Sequence, residues 1–481
     1  MKLIRSSIIK YPLILLVAGA IFSGCKKPND FGDLNVNPNG AVAAPTSALL
    51  TNVLSGLGGT PSNTNQGFYV QYFTEEQYPG NSLYQQTKVS WDGFYAGALE
   101  DLQNIININI KSPAFALLSG NPVNQIQIAR ILKVYQFSIL TDRYGDIPYF
   151  KALTGNTQIA YDKQKDIYND FFKELTSAVS TFQTAGPAIK GDILYGGNIA
   201  QWKKFANSLR LILAMRLSKV DPATGKTQFT AALNDAGGII TSNDDNFTIA
   251  YANGFANPYY NLASASKFAI TKTLVDVLKQ NADPRITAYG QTVNGVVNGV
   301  PYGLNRGNNL TYMTANPNFS QAFDASFKNI NSPIVIISAA YIDLIRAEAA
   351  VNPNYASGEN ALSLFKKGIQ DSWSQWNITG SIDSYLNNLG VSTSVSTAQV
   401  QLQLWLALYG SNQNAWNEWR RTGVPSLTPA PDAVSLTKTI PRRFGYPATE
   451  VNVNSAAYNA AIASFPYGGT DVHDNRVYWD K

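Results

Sequence analysis

Only one cysteine, Cys25, occurs in 481 residues, so no disulfide can staple the chain and its fold rests on an apolar core. The sequence supplies that core mainly as helical stripes. Trp91 to Ile106 places Phe94, Ala98, Leu102, Ile105 and Ile106 on one face, and Asn124 to Arg143 does the same with Ile128, Ile131, Leu132, Tyr135 and Ile139. Gly145 and Pro148 stop the second of these. Tyr161 to Phe182 carries Ile167, Phe171, Leu175 and Val179. The clearest helix, Ile199 to Ser218, aligns Ile199, Trp202, Ala206, Leu209 and Leu213, with Lys203, Lys204, Arg210 and Lys219 off the stripe. Further helices are predicted from about Ser47 and over Lys272–Gln280, Ser338–Val351, Leu362–Trp373 and Thr397–Tyr409. The long helices follow one another as antiparallel pairs would, without a repeat of fixed period.

The cysteine itself sits at the end of a leader. Lys2, Arg5 and Lys10 precede an apolar run from Tyr11 to Phe22, then Phe22-Ser23-Gly24 lead into Cys25. A run this short does not span a bilayer as a helix, which takes about 20 residues, and reads as a secretory signal. Ile21 to Cys25 resembles a lipobox, where a bacterial lipoprotein signal is cut and the cysteine acylated. The expected organisation is a signal peptide over 1–24, a lipidated Asn-, Pro- and Gly-rich tether over 25–45, and a single domain over 46–481. No later apolar run is long enough to cross a membrane.

Charge and composition narrow the function. The net charge of +5, less the three basic residues of the leader, leaves +2, which provides no basic face for nucleic acid. Charged residues are 14% and aromatics 12%, including 26 Tyr. Together with abundant Asn, that suits neutral polar ligands: ring faces stack on sugars and amides pair with hydroxyls. Two stretches without helical period, Ile239–Leu262 and Thr287–Ile334, are too aromatic for disorder and read as ordered loops on the helical scaffold. Asn412–Lys481 reads as mostly irregular, with short helical pieces.

Several blocks together resemble the SusD/RagB family of outer-membrane nutrient-binding lipoproteins. After the lipobox come residues 30–39 (DFGDLNVNPN) and Leu140 to Tyr149 (LTDRYGDIPY). Trp202 to Leu211 (WKKFANSLRL) with Arg216-Leu217-Ser218, Leu344 to Ala349 (LIRAEA), and Ala415 to Gly423 (AWNEWRRTG) follow in order. Ile440 to Arg443 and Tyr446-Pro447 close the series. The resemblance implies a mainly α fold: a scaffold of tetratricopeptide-like helix pairs bearing a long, irregular, loop-rich ligand-binding face. It also implies a surface lipoprotein of the outer membrane that delivers oligosaccharides to a TonB-dependent, SusC-like transporter. Some relatives bind peptides instead.

Within the shared blocks the residues read as structural. Asn207 bridges backbone, Gly145 to Pro148 ends a helix, and Arg420, Arg421, Arg442 and Arg443 pair with Glu418, Glu348 or helix-end carbonyls. Catalysis finds little support. The lone histidine, His473, cannot build a zinc site, and no Gly-x-Ser-x-Gly elbow or phosphate loop is present. A glycosidase needs two carboxylates, which composition permits. No cofactor is expected; for calcium, Asp244-Asp245-Asn246 supplies oxygens but lacks EF-hand spacing. The candidate ligand platforms are aromatics outside helical stripes: Tyr78, Tyr84, Tyr259, Tyr260, Tyr302 and Tyr312. Cys25 is the candidate lipidation site, and Trp91, at the head of a helix, is assigned to the core.

Overall fold

The computed structural model describes residues 44–481 apart from 86–87, 157, 253 and 261–267. The leader, Cys25 and most of the tether therefore lie outside the described residues.

The predicted stripes become helices with named stops. Of these we label α1 (Thr46–Gly56), α2 (Thr64–Tyr69), α3 (Glu100–Lys111), α4 (Pro122–Tyr144), α5 (Gln164–Thr181), α6 (Ile199–Arg216) and α7 (Pro222–Leu233). Then come α8 (Lys272–Gln280), α9 (Arg306–Ala315), α10 (Ala339–Val351), α11 (Ala361–Gln375), α12 (Thr397–Ala407) and α13 (Asn412–Thr422). Side chains start many of them: Asn121 accepts from Val123 and Asn124, Asn198 from Ala200 and Gln201, and Ser396 forms a capping box with Gln399. Helix α4 ends at Gly145, whose φ of 85° a side chain would resist.

Helices adjacent in sequence pack on each other: α3 on α4, α4 on α5, α6 on α7 and α10 on α11. That is the helix-pair arrangement the sequence implied. The residues from Pro45 onward make one unit around one dominant core.

Four short strands tie the irregular stretches down. β1 (Phe73–Glu75) pairs antiparallel with β3 (Phe268–Ile270), and β2 (Phe247–Ile249) with β4 (Ile334–Ile337). Phe247 of β2 stacks on Phe205 of α6 with ring centroids 3.9 Å apart, so this excursion is anchored in the core.

Three expectations change. The segment from Trp91 begins as a π-helix over Phe94–Leu99, broken at Gly97, before α3 follows. The stretch Thr287–Ile334 contains α9, hidden because only Asn309 and Met313 of its ten residues are buried and so leave no stripe. The C-terminal stretch opens with α13, buried on every side from Asn412 to Arg421. Its apolar face is short, Ala415, Trp416 and Trp419, and the burial of its polar residues is stabilised by hydrogen-bond and ion-pair partners.

Candidate functional site

The shared blocks converge on a polar core that the protein completes itself. Asp142 of α4 accepts from Tyr168 at 2.6 Å, the Trp479 indole at 2.8 Å, Asn417 at 3.1 Å and Arg216. Arg421 donates to Glu348 at 2.8 Å and to Glu418 at 2.8 Å. Arg420 donates to the carbonyls of Asp142 (2.8 Å) and Arg442 (2.7 Å) and stacks on Trp416 at 3.6 Å. Arg442 pairs with Asp480 and Arg443 with Asp471. Asn207 bridges Asp235 and the Gly238 carbonyl. These groups hold elements together, as the sequence suggested.

The six candidate tyrosines divide. Tyr84, Tyr259 and Tyr302 are core residues, which corrects their reading as ligand platforms: a ring without an exposed face cannot stack on a sugar. Tyr84 packs against Tyr69 and Tyr302 and accepts from the Ala430 amide at 3.0 Å. Tyr259 donates to the Gly410 carbonyl at 2.8 Å and lies on Phe323. Sequence position outside a stripe did not distinguish them, because strands and turns also carry core aromatics. Trp91 is buried, as assigned.

Tyr78 and Tyr260 are exposed, at 66% and 40%. Tyr78 carries the Arg306 guanidinium over its ring at 5.0 Å. Arg306 begins α9, and Asn309 one turn on donates to the carbonyls of Glu75 and Glu76 at 2.9 and 2.7 Å, fixing the helix against β1. The same helix carries Tyr312, half-buried, into a cleft of about 450 Å³ beside α8. Helix α9 thus connects two of the predicted aromatics.

Tyr312 and Phe319 rest on a small apolar cluster of Ala269, Val300 and Met313, which holds both rings at the cleft. Gly299 lets the cleft wall close: a Cβ there would lie 2.6 Å from the Lys272 backbone, where Lys272 donates to Val300 at 2.8 Å. Around the rings, Asn298 donates to the Asn318 carbonyl at 3.1 Å and Asn316 to the Tyr312 carbonyl at 2.9 Å. The Asn318 side chain is exposed and makes no hydrogen bond among the described residues. Ring faces edged by amides with spare hydrogen-bonding capacity suit sugar hydroxyls. Asp276 is the single acid lining the cleft among the described residues, and it is paired with Lys272, whereas glycoside hydrolysis employs two carboxylates. Phe319 and the three asparagines were not singled out in the sequence; the run Asn316-Pro317-Asn318 was their only signal.

His473 is a packing residue. It is buried, neither ring nitrogen has a hydrogen-bond partner among the described residues, and burial with the nearby Arg443 charge pushes its pKa down to about 4. Of the Asp244-Asp245-Asn246 run, Asp245 pairs with Lys204 at 2.7 Å, while Asn246 accepts from the Ala339 amide at the start of α10.

The chain matches a family model described as "Starch-binding associating with outer membrane" over residues 38–447. A solved structure described as a chitin-binding protein is 30% identical, with a TM-score of 0.77 over 90% of this chain and 99% of that one. A chitin-binding SusD homologue from Flavobacterium johnsoniae is 24% identical, with a TM-score of 0.74 over 91% and 98%. A SusD homologue from Bacteroides uniformis is 25% identical, with a TM-score of 0.77 over 91% and 99%. No curated protein matches the chain.

Proposed function

The chain belongs to the SusD-like family of starch-binding proteins associated with the outer membrane, and from that premise we propose that it is a surface glycan-binding protein. The observation that carries the reading is the α8–α9 cleft, where Tyr312 and Phe319 are held beside Asn298, Asn316 and Asn318. Loops on a rigid scaffold are the usual place for such residues. A neutral oligosaccharide would lie on the rings and exchange hydroxyl hydrogen bonds with the amides. Two relatives described as chitin-binding make N-acetylglucosamine oligomers the first ligands to test.

In this reading Cys25 carries the lipid, residues 25–45 are the tether, and the captured glycan passes to a TonB-dependent, SusC-like transporter. No helix among the described residues is long and apolar enough to cross a membrane, so membrane association in this reading rests on the anchor. The test is calorimetric titration of the chain from Lys26 onward with chitin and starch oligosaccharides, with product analysis of the same samples. Saturable binding with every glycosidic bond intact supports the proposal. Cleaved products in proportion to protein, or binding of short peptides in place of glycans, overturn it.

A further inference from the structure

A second cleft, of about 520 Å³, opens between α1, the π-helix and α4. Asn52, Thr60, Asn63 and Ser90 give its wall amides and hydroxyls, and Phe94 contributes an aromatic ring. Its volume falls within the range of small-molecule sites, roughly 300–1,000 Å³. Phe94 stands in the π-helical turn, a departure from α-geometry that recurs at functional sites.

Two side chains of α4 distinguish this cleft from other surface hollows. Gln136 and Arg143, seven residues apart and so on one face of the helix, both line it, and each is only 4% exposed. The Gln136 amide makes no hydrogen bond among the described residues. Arg143 donates through Nε to Gln413 at 2.6 Å, while its two terminal nitrogens have no partner there.

Other buried arginines are all neutralised or hydrogen-bonded at their ends. Arg216, Arg285, Arg421 and Arg443 each meet a carboxylate, Arg420 donates to two carbonyls, and Arg210 donates through a terminal nitrogen to Gln228 at 2.6 Å. Arg143 meets no carboxylate among the described residues; beyond the Gln413 oxygen, the Phe94 and Phe444 rings, at 5.5 and 5.6 Å, stabilise its charge. Burial lowers its pKa to about 10, which still leaves it a cation at neutral pH. A buried cation that the fold leaves without an anion is costly, and here its free ends line a polar cleft.

We propose that this cleft binds an acidic sugar unit, its carboxylate on the terminal nitrogens of Arg143 and its hydroxyls on Gln136 and the polar wall. The planar guanidinium matches a carboxylate through two parallel hydrogen bonds, which a neutral sugar cannot supply. The inference rests on the glycan-binding reading and adds a second, charge-selective site to it.

The test is titration of the chain from Lys26 onward with galacturonate trimer, galactose trimer, acetate and a tetrapeptide with a free C-terminus. The expected result is galacturonate binding at least about tenfold tighter than galactose, acetate or peptide, the range a charge-assisted hydrogen bond supports. Arg143→Gln should abolish that preference. Because Arg143 is buried, Ser90→Glu at the exposed rim provides a second variant, which sets a carboxylate against the ligand and should weaken galacturonate binding by a similar factor. Equal affinity for galacturonate and galactose, preference for the peptide or for acetate, or indifference to both variants overturns the inference. A parallel titration with chitin oligosaccharides separates the two failures. Neutral glycan bound without galacturonate defeats only the acidic site; no glycan bound at all defeats the glycan-binding reading with it.

Discussion

Asp142 and Arg143 are neighbours on α4, yet the protein completes one and leaves the other open. Asp142 is saturated by Arg216, Tyr168, Trp479 and Asn417, drawn from four separate parts of the chain. Arg143 spends one nitrogen on Gln413 and turns the rest toward a cleft. Both lie in the same shared block, so sequence position does not separate them. The accounting of hydrogen bonds does: the partners of Asp142 are all internal, whereas Arg143 keeps spare donors at a cavity, where they are able to meet a group from outside.

The largest effect should come from the closed side. Asp142→Asn removes the charge that neutralises buried Arg216 and exchanges an acceptor for a donor beside three other donors. Breaking one partner of a buried pair costs roughly 3–5 kcal/mol. Urea unfolding of the variant should show a midpoint well below that of the parent; an unchanged midpoint would break the comparison at its structural end.

His473 tests burial without a cavity. Its imidazole lacks partners as Arg143's terminal nitrogens do, but it is packed away, and burial together with Arg443 pushes its pKa down to about 4. Between that value and about 6.5 the unfolded chain binds the proton and the folded one does not, so stability falls as pH falls through this window. The loss should reach about 2 kcal/mol by pH 5. His473→Leu should remove that part of the pH dependence, read as the difference between the two proteins' unfolding curves. Parallel curves from pH 7 to pH 5 would contradict it.

What the sequence revealed follows from how each feature is stabilised. Helices such as α5 and α8 bury one apolar face and announce it by period, and the predicted bounds Lys272–Gln280 coincide with α8. Helix α13 offers only Ala415, Trp416 and Trp419 as an apolar stripe, and it is buried all round because Arg420, Arg421 and Glu418 also meet Asp142, Glu348 and Tyr341, which lie far away in sequence. The proposed ligand face was legible in part: Tyr312 was a sequence candidate, whereas Phe319 and the asparagines beside it were not. Tyr302 and Tyr312 stand ten apart in the same irregular stretch, and only tertiary packing buries the first and leaves the second at a cleft. The open state of Arg143 was illegible for the same reason: a missing partner has no sequence signal.

The α8–α9 cleft allows a milder test. Tyr312→Ala removes a ring face that supports the proposed sugar stack, worth about 0.5–1.5 kcal/mol, or roughly two- to twelvefold in affinity for a neutral glycan. The fold should be little affected, because Tyr312 is only half-buried at the edge of its small cluster. Tyr84→Ala should do the reverse, lowering the unfolding midpoint through lost core packing. Calorimetry and urea unfolding on both variants separate a ligand ring from a core ring; equal loss of stability in the two would show that exposure was the wrong criterion.

The smallest stability effect is expected where a buried charge is deleted. Arg143→Gln loses one hydrogen bond to Gln413 and the contacts with Phe94 and Phe444, but it also relieves an uncompensated cation. No carboxylate is left unpaired, so the two contributions oppose each other and the net change should stay within about 1 kcal/mol. The neighbouring Asp142→Asn substitution should cost several times as much. If Arg143→Gln proves equally damaging, Arg143 is a structural member of the polar core despite its missing partners. If it is near neutral, the fold can dispense with this cation, and the reason for burying one at a polar cleft has to be sought in what the cleft binds.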